Sequence, residues 1–102
     1  MIFVFDVRGT LVDNVVGITQ RECEIILRSL RDRGHELVCR TGDPRAVPDA
    51  LRPLFHAIED KCARFTVDFK RATFVDDDYD YLSWLAHRGA RVLHASQIGT
   101  LL

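Results

Sequence analysis

The chain has 102 residues, a formal net charge of −1, and a composition of 47% hydrophobic and 28% charged residues. This balance is typical of an ordinary globular protein, and the length predicts one domain, residues 1–102, with no room for a second core. The charge balance predicts no general nucleic-acid binding surface. No apolar run approaches the ~20 residues that span a bilayer, so we expect no membrane partner.

The cysteines and the start of the chain bear on the compartment. Cys23, Cys39 and Cys62 are odd in number, widely spaced and without a CxxC pair, which predicts reduced thiols rather than a disulfide framework or a zinc site. The apolar residues 1–5 are interrupted by Asp6 and lack the basic region that begins a signal peptide. These features predict a cytoplasmic protein.

The first elements follow from the spacing of apolar residues. Residues 2–5 are a continuous apolar run, as in a strand that is covered on both faces. Over residues 19–33 the apolar positions fall at helical spacing, and Gly34 stands where a helix would end. A second strand is predicted over residues 37–39, ending at Thr41-Gly42.

Shorter elements are predicted for the second half. Asp43 and Pro44 suit the N-cap and first position of a helical segment. A short helical piece is predicted over 46–54, interrupted or restarted by Pro48 and Pro53. It is followed by a strand over 55–58, a short helix over 62–69 and a strand over 72–75. The last elements are a helix with Tyr81, Leu82, Leu85 and Ala86 on its apolar face and Gly89 at its end, and a strand over 92–95. The alternation predicts an α/β fold, a parallel sheet of about five strands with helices on both faces.

Polar residues follow three of these strands. Asp6 ends the first strand, Thr41 the second, and Asp76 with Asp77 follows residues 72–75. Ligands of such sheets bind at the carboxyl ends of the strands, so we expect these side chains at one edge. Clustered carboxylates repel one another unless a cation neutralises them, and their oxygens suit Mg²⁺. A nucleophile, a hydroxyl and a metal are the groups that phosphoryl transfer requires.

Several segments resemble the motifs of the haloacid-dehalogenase (HAD) superfamily. Residues 3–13, FVFDVRGTLVD, resemble its first motif, an apolar strand followed by DxDGTL. Residues 37–42, LVCRTG, are similar to the second motif, and residues 74–77, FVDD, resemble the acidic fourth. Lys61 precedes Asp76 by 15 residues, close to the spacing of the third-motif lysine in compact HAD phosphatases. The resemblance implies a Rossmann-like core.

The resemblance also implies roles in catalysis. Asp6 would be the nucleophile that becomes an aspartyl phosphate. Thr41 would bond the phosphoryl oxygens, and Lys61 would offset their charge. Lys70 is a second candidate for this lysine, but it stands immediately before a predicted strand, where an exposed lysine is ordinary.

A magnesium site is implied by the same resemblance. The carboxylates of Asp6 and Asp77, with Asp76 as a further candidate, and the backbone carbonyl of Arg8 would hold Mg²⁺ as the cofactor. Arg8 departs from the family pattern, which has a second aspartate at this position as general acid and base. A guanidinium stays protonated and cannot exchange a proton with water or leaving group, although it can pair with Asp6. We therefore expect weak phosphohydrolase or phosphotransferase activity.

The spacing of the motifs leaves no room for a cap domain. Family caps are inserted where this chain has only residues 11–19 and 58–61. An open site of this kind implies a phosphorylated substrate that can be a macromolecule. The alternative is a catalytically degraded relative that binds a partner or ligand. A receiver-like signalling domain fits less well, because its acidic pair and phospho-acceptor occur in another order. The sequence does not indicate the oligomeric state.

Overall fold

The computed structural model describes all 102 residues and is built on one parallel sheet. Its strands and α-helices are β1 (Ile2–Phe5), α1 (Gln20–Asp32), β2 (Glu36–Thr41), β3 (Ala57–Asp60), β4 (Ala72–Asp76), α2 (Tyr79–His87) and β5 (Arg91–His94). The strands lie side by side in the order β3-β2-β1-β4-β5, and every neighbouring pair is parallel. The expected α/β architecture is confirmed, with β1 at the centre and all five carboxyl ends at one edge.

Helix α1 forms because its local signals agree. Thr19 caps it: the Thr19 hydroxyl accepts a hydrogen bond from the Glu22 N–H at 3.1 Å, and the Glu22 carboxylate accepts one from the Thr19 N–H at 3.3 Å. The helix ends before Gly34, whose φ of 87° is one that other residues rarely adopt. The buried face is the predicted stripe of Cys23, Ile26, Leu27 and Leu30.

The sheet separates two hydrophobic layers. Helix α1 covers the larger one, which contains Phe3, Phe5, Leu37, Cys39 and Val75 from the strands. Helix α2 covers the smaller one, which contains Val4, Val38, Phe74, Leu82 and Leu85. Successive strand residues point to opposite faces, so the central strands are apolar throughout. Neither α-helix has the length and apolar character that crossing a membrane requires.

The chain between β2 and β3 differs from its prediction. Asp43 caps a short 3₁₀ turn as expected, accepting a hydrogen bond from the Arg45 N–H at 3.1 Å. The helical piece predicted over 46–54 is reduced to a second 3₁₀ turn, Arg52–Leu54. The interruption predicted at Pro48 and Pro53 is complete, because prolines lack the N–H groups that would continue a helix. Strand β3 begins two residues later than predicted, because Phe55 packs against Phe5 instead of entering the sheet.

The chain between β3 and β4 contains no α-helix, so the short helix predicted over 62–69 is wrong. Phe65, Val67 and Phe69 are partly buried and alternate with exposed residues, which is not the period of a helix. All three pack against the smaller layer. The buried Arg40 side chain binds two backbone carbonyls of this segment, at Lys61 and Ala63. In a helix these carbonyls would instead accept hydrogen bonds from N–H groups four residues later.

The last elements match their predictions apart from the ends. Helix α2 begins after Asp78, whose carboxylate accepts hydrogen bonds from the N–H groups of Asp80 and Tyr81. Leu82 and Leu85 are buried, but Ala86, which was predicted on the same face, is exposed. Strand β5 begins and ends one residue earlier than predicted, because Ala95 already belongs to a 3₁₀ segment, Ala95–Leu101.

Candidate active site

The register of the sheet brings three aspartates together at its carboxyl edge. Phe5 pairs with Val75, and the Asp6 N–H donates to the Val75 carbonyl at 3.0 Å, so Asp6 and Asp76 end neighbouring strands side by side. Carboxylate oxygens of Asp6, Asp76 and Asp77 lie within 4.8 Å of one another. Asp6 and Asp76 are buried, so their mutual repulsion is poorly screened by water. Three carboxylates this close are a donor set that fits Mg²⁺.

Lys61 supplies a positive charge to this cluster. Its Nζ lies 2.7 Å from a carboxylate oxygen of Asp76 and 3.6 Å from one of Asp6. The ammonium also lies 4.4 Å from the centre of the Tyr81 ring, in a cation–π contact. Lys70, the competing candidate, is exposed in the turn before β4, at the opposite edge of the sheet. Of the two lysines, therefore, only Lys61 contacts the aspartates.

One lysine does not fully compensate three carboxylates. Burial, together with the charges of Asp76 and Asp77, raises the pKa of Asp6 to about 7, and the Lys61 ammonium only partly opposes this rise. Burial also raises the pKa of Asp76, against the hydrogen bond from Lys61 and the backbone N–H of Asp78. For Lys61, burial lowers the pKa, but its hydrogen bond to Asp76 and the nearby negative charges outweigh burial and raise it. Negative charge therefore remains uncompensated at this edge, and it favours the binding of a further cation.

The turn after β1 lies against the cluster of Asp6, Asp76 and Asp77. The N–H groups of Thr10, Leu11 and Val12 all donate to the Val7 carbonyl, which coils the chain tightly. Gly9 has a φ of 81°, and a Cβ atom at this position would collide with the Asp77 carboxylate. A glycine at position 9 is therefore what allows the turn to approach Asp77.

The two parts of Arg8 face different surroundings. Its carbonyl oxygen accepts no hydrogen bond and is free to bind a cation. Its side chain is exposed and forms no ion pair, so the guanidinium does not make the contact with Asp6 that the sequence allowed. Lys61 occupies that role instead.

Thr41 stands at the expected edge, but its hydroxyl is turned towards its own loop. It accepts a hydrogen bond from the Asp43 N–H at 3.2 Å and makes no hydrogen bond to Asp6, Asp76 or Lys61. The backbone carbonyl of Thr41 accepts the Lys61 N–H at 2.9 Å, which extends the pairing of β2 with β3 by one residue. Thr41 therefore lies beside the cluster without joining it.

Comparisons with known proteins were informative at the level of structure. No protein-family model and no curated protein matches the sequence. The fold is similar to three solved structures: an uncharacterized protein from Corynebacterium glutamicum (TM-score 0.70, 13% identity, covering 91% of this chain and 82% of that one), the core domain of a presumed phosphoglycolate phosphatase from Streptococcus pneumoniae (0.64, 12%, 92% and 78%), and a D,D-heptose 1,7-bisphosphate phosphatase from Burkholderia thailandensis (0.60, 19%, 88% and 74%).

The likeness shows a shared fold. At these identities it supports the Rossmann-like parallel α/β core that the sequence predicted, and two of the three similar structures are described as phosphatases. It does not transfer a reaction, a metal or a residue role, because fold alone does not determine function.

Three residues of the site were missed in the sequence. The Thr10 hydroxyl, fully buried, lies 3.5 Å from a carboxylate oxygen of Asp6. Tyr81 was predicted only as part of a helix face, yet its ring contacts Lys61. Arg40 lies within the quoted second motif and has no predicted role, although it binds the backbone of Lys61. Thr10 belongs to the quoted first motif and could have been singled out, whereas the other two contacts depend on long-range packing.

Proposed function

We propose that this protein transfers a phosphoryl group from a phosphorylated substrate to Asp6, and to water in a slow second step. The observation that carries the proposal is the pairing of Lys61 with two buried aspartates at the carboxyl edge of the sheet, at 2.7 and 3.6 Å. Burying charged groups costs stability, a cost that is expected at a functional site, and the carboxyl edge is where ligands of parallel sheets bind.

Asp6 is the proposed nucleophile. In the first step, one of its carboxylate oxygens bonds to phosphorus while the bond from phosphorus to the leaving oxygen breaks, which gives an aspartyl phosphate. The Thr10 hydroxyl, 3.5 Å from the other oxygen, orients the carboxylate. Lys61 neutralises charge on the phosphoryl oxygens, and Thr41 contributes a hydroxyl once it exchanges its hydrogen bond with the loop for one with substrate.

The proposed cofactor is Mg²⁺, held by Asp6, Asp76, Asp77 and the free carbonyl of Arg8. When bound, the ion would supply the positive charge that lets the aspartates stay ionised and a phosphate dianion approach them. The protein residues fit this role because they offer hard oxygen atoms within 4.8 Å of one another.

The second step is the weak one. Hydrolysis of the aspartyl phosphate needs water to lose a proton, and the residue at position 8 is an arginine that cannot accept it. A positioned general base is worth roughly 10²–10⁴ in rate. We therefore propose that the phosphorylated enzyme forms faster than it is hydrolysed, with slow turnover as the result.

The substrate is proposed to be a phosphorylated molecule that can be large. Only residues 6–19 connect β1 to α1, and only residues 61–71 connect β3 to β4, so neither connection forms a domain over the site. The aspartate cluster is accordingly open to a phosphoprotein or another macromolecular phosphate ester.

A generic aryl phosphate tests the proposal, because a good leaving group needs little protonation in the first step. We expect weak Mg²⁺-dependent hydrolysis, loss of it in Asp6→Asn, and a gain of a substantial part of ~10²–10⁴ in Arg8→Asp. Robust native activity that Arg8→Asp does not raise would show that another residue moves the proton. Activity that persists in Asp6→Asn would refute the nucleophile.

The second candidate function is phosphate or partner binding without turnover. The exposed, unpaired guanidinium of Arg8 favours it, since this group can attract an anion that the site does not then hydrolyse. Inactivity of both the native protein and Arg8→Asp, with Mg²⁺-dependent binding of inorganic phosphate retained in calorimetry, would select this function.

A further inference from the structure

The guanidinium of Arg40 is buried behind the aspartate cluster. It is only 2% exposed, on the face of β2 that faces α2 and the chain between β3 and β4. Its Nη1 donates to a carboxylate oxygen of Glu59 at 2.7 Å, and its Cζ lies 4.0 Å from the centre of the Phe65 ring. A buried arginine is costly unless its donors are bonded, and an apolar side chain of similar volume is often as stable.

The second terminal nitrogen of Arg40, Nη2, binds the segment that carries Lys61, whereas its buried Nε has no hydrogen-bond partner. Its Nη2 donates to the carbonyls of Lys61 at 2.9 Å and Ala63 at 2.6 Å. On the other side of the same residue, the Lys61 N–H donates to the Thr41 carbonyl at 2.9 Å. The backbone of Lys61 is thus held on both sides by residues of β2.

Near Lys61 few other hydrogen bonds fix the course of the segment, although further along Phe65 and Val67 pack against the smaller layer. Residues 61–68 form neither helix nor strand, and Asp60 accepts the N–H groups of Cys62 and Ala63 at its beginning. A lysine side chain has several rotatable bonds, so the direction of its ammonium depends on where its backbone lies. A shift of about 1 Å in such a group is enough to affect a reaction.

We propose that Arg40 is a positioning residue, which holds the segment after β3 so that the Lys61 ammonium is directed at Asp6 and Asp76. The placement of Lys61 stands independently of any reaction, and its consequence for catalysis rests on the proposed function. Arg40 bonds to Glu59, Lys61 and Ala63 and not to Asp6, so its effect on the aspartates passes through Lys61.

The chain offers a direct test because it contains only two lysines, Lys61 and Lys70. Trace acetylation of the folded protein, read for each lysine by mass spectrometry, gives the reactivity of Lys61 with the exposed Lys70 as internal reference. In the native protein Lys61 should react more slowly, because its ammonium is paired and partly buried. Arg40→Met should raise the Lys61 to Lys70 ratio about tenfold, as expected for loss of a charge-assisted hydrogen bond.

Arg31→Met is the matched control. Arg31 also binds a backbone carbonyl, that of Leu54 at 2.8 Å, but this bond lies beside α1 and away from the aspartates. Its loss should leave the ratio of the two lysines unchanged. A folded Arg40→Met with the native ratio, or an equal change in Arg31→Met, would overturn the proposal.

A second variant guards against unfolding of Arg40→Met. Glu59 is partly exposed, so Glu59→Gln should fold while weakening the anchor of Arg40, with a rise in the ratio of about two- to threefold. If Arg40→Met does not fold, Glu59→Gln decides the question. An unchanged Lys61 to Lys70 ratio in folded Glu59→Gln would then contradict the proposal. If the native protein hydrolyses an aryl phosphate, Arg40→Met should lower kcat more than it changes KM. Labelling needs no turnover. An inactive protein would therefore refute the proposed function, and the labelling ratios would still decide whether Arg40 positions Lys61.

Discussion

The larger hydrophobic layer under α1 (the α1 layer) and the sheet edge with Asp6, Asp76 and Asp77 (the carboxylate edge) contribute to stability in opposite directions. In the α1 layer, cap, apolar stripe and terminal glycine all favour the same structure, and the buried residues are hydrophobic. At the carboxylate edge, three aspartates share one lysine, and burial raises the pKa of Asp6 to about 7. The first arrangement stabilises the fold and the second opposes it. Conflict between local rules is expected at functional sites, so the contrast itself locates the site.

The largest effect should come from the α1 layer. Leu27 is fully buried, so Leu27→Ala should lower the free energy of unfolding by about 2–5 kcal/mol through lost burial and a cavity. Ile25→Ala on the exposed side of the same helix is the control and should cost little. Urea unfolding measures both. Equal costs would show that the layer is packed less tightly than the structure indicates.

The carboxylate edge should respond to pH in the opposite sense from an ordinary paired aspartate. The pKa of Asp6 rises from 3.8 to about 7 on folding, so the folded state binds this proton more tightly than the unfolded state does. Without Mg²⁺, its contribution to stability is present below about pH 4 and is lost as the pH rises towards 7. Each unit of the rise corresponds to about 1.4 kcal/mol.

Asp6→Asn isolates that contribution. Its unfolding free energy, measured by urea in the presence of a chelator, should fall less between pH 4.5 and 7.5 than that of the native protein. Added Mg²⁺ should then stabilise the native protein at pH 7.5 more than it stabilises Asp6→Asn. A parallel pH dependence of the two proteins would contradict the raised pKa, whatever the effect of the metal.

The smallest effect should come from the cap of α1. Thr19→Ala removes a side-chain hydrogen bond to the Glu22 N–H and should cost about 1 kcal/mol. The cost should be the same at pH 5.5 and pH 7.5, since a hydroxyl does not titrate in this range. Thr100→Ala, which removes an exposed hydroxyl bonded to the Gln97 carbonyl, serves as the comparison. A pH-dependent cost at Thr19 would mean that the two regions are coupled.

The same contrast explains what the sequence could predict. Helix α1 was predicted almost to the residue because its signals lie within 16 consecutive positions, Thr19 to Gly34. The meeting of Asp6 with Asp76 was predictable as well, since parallel strands that are neighbours end at the same edge. Both predictions needed only local patterns and one rule of topology.

The segment between β3 and β4 could not be predicted in this way. Its course depends on Arg40, which lies 21 and 23 positions before the carbonyls it binds, and on aromatic contacts of Phe65 with Trp84 and Phe74. Propensity assigns a helix here, and these long-range contacts override it. The direction of the Thr41 hydroxyl was likewise beyond the sequence, because a single rotation decides whether it faces its loop or the aspartates.

The close approach of Gly9 to Asp77 makes the order of mutations matter. Any side chain at position 9 would push the Asp77 carboxylate out of the cluster, and the positive φ adds backbone strain. If Asp77 is replaced first by a smaller residue, a later side chain at position 9 no longer collides with a carboxylate. If Gly9 is replaced first, the site is disrupted although every proposed ligand is still present. The two positions should therefore show strong epistasis: the effect of substituting Gly9 depends on whether Asp77 is still there.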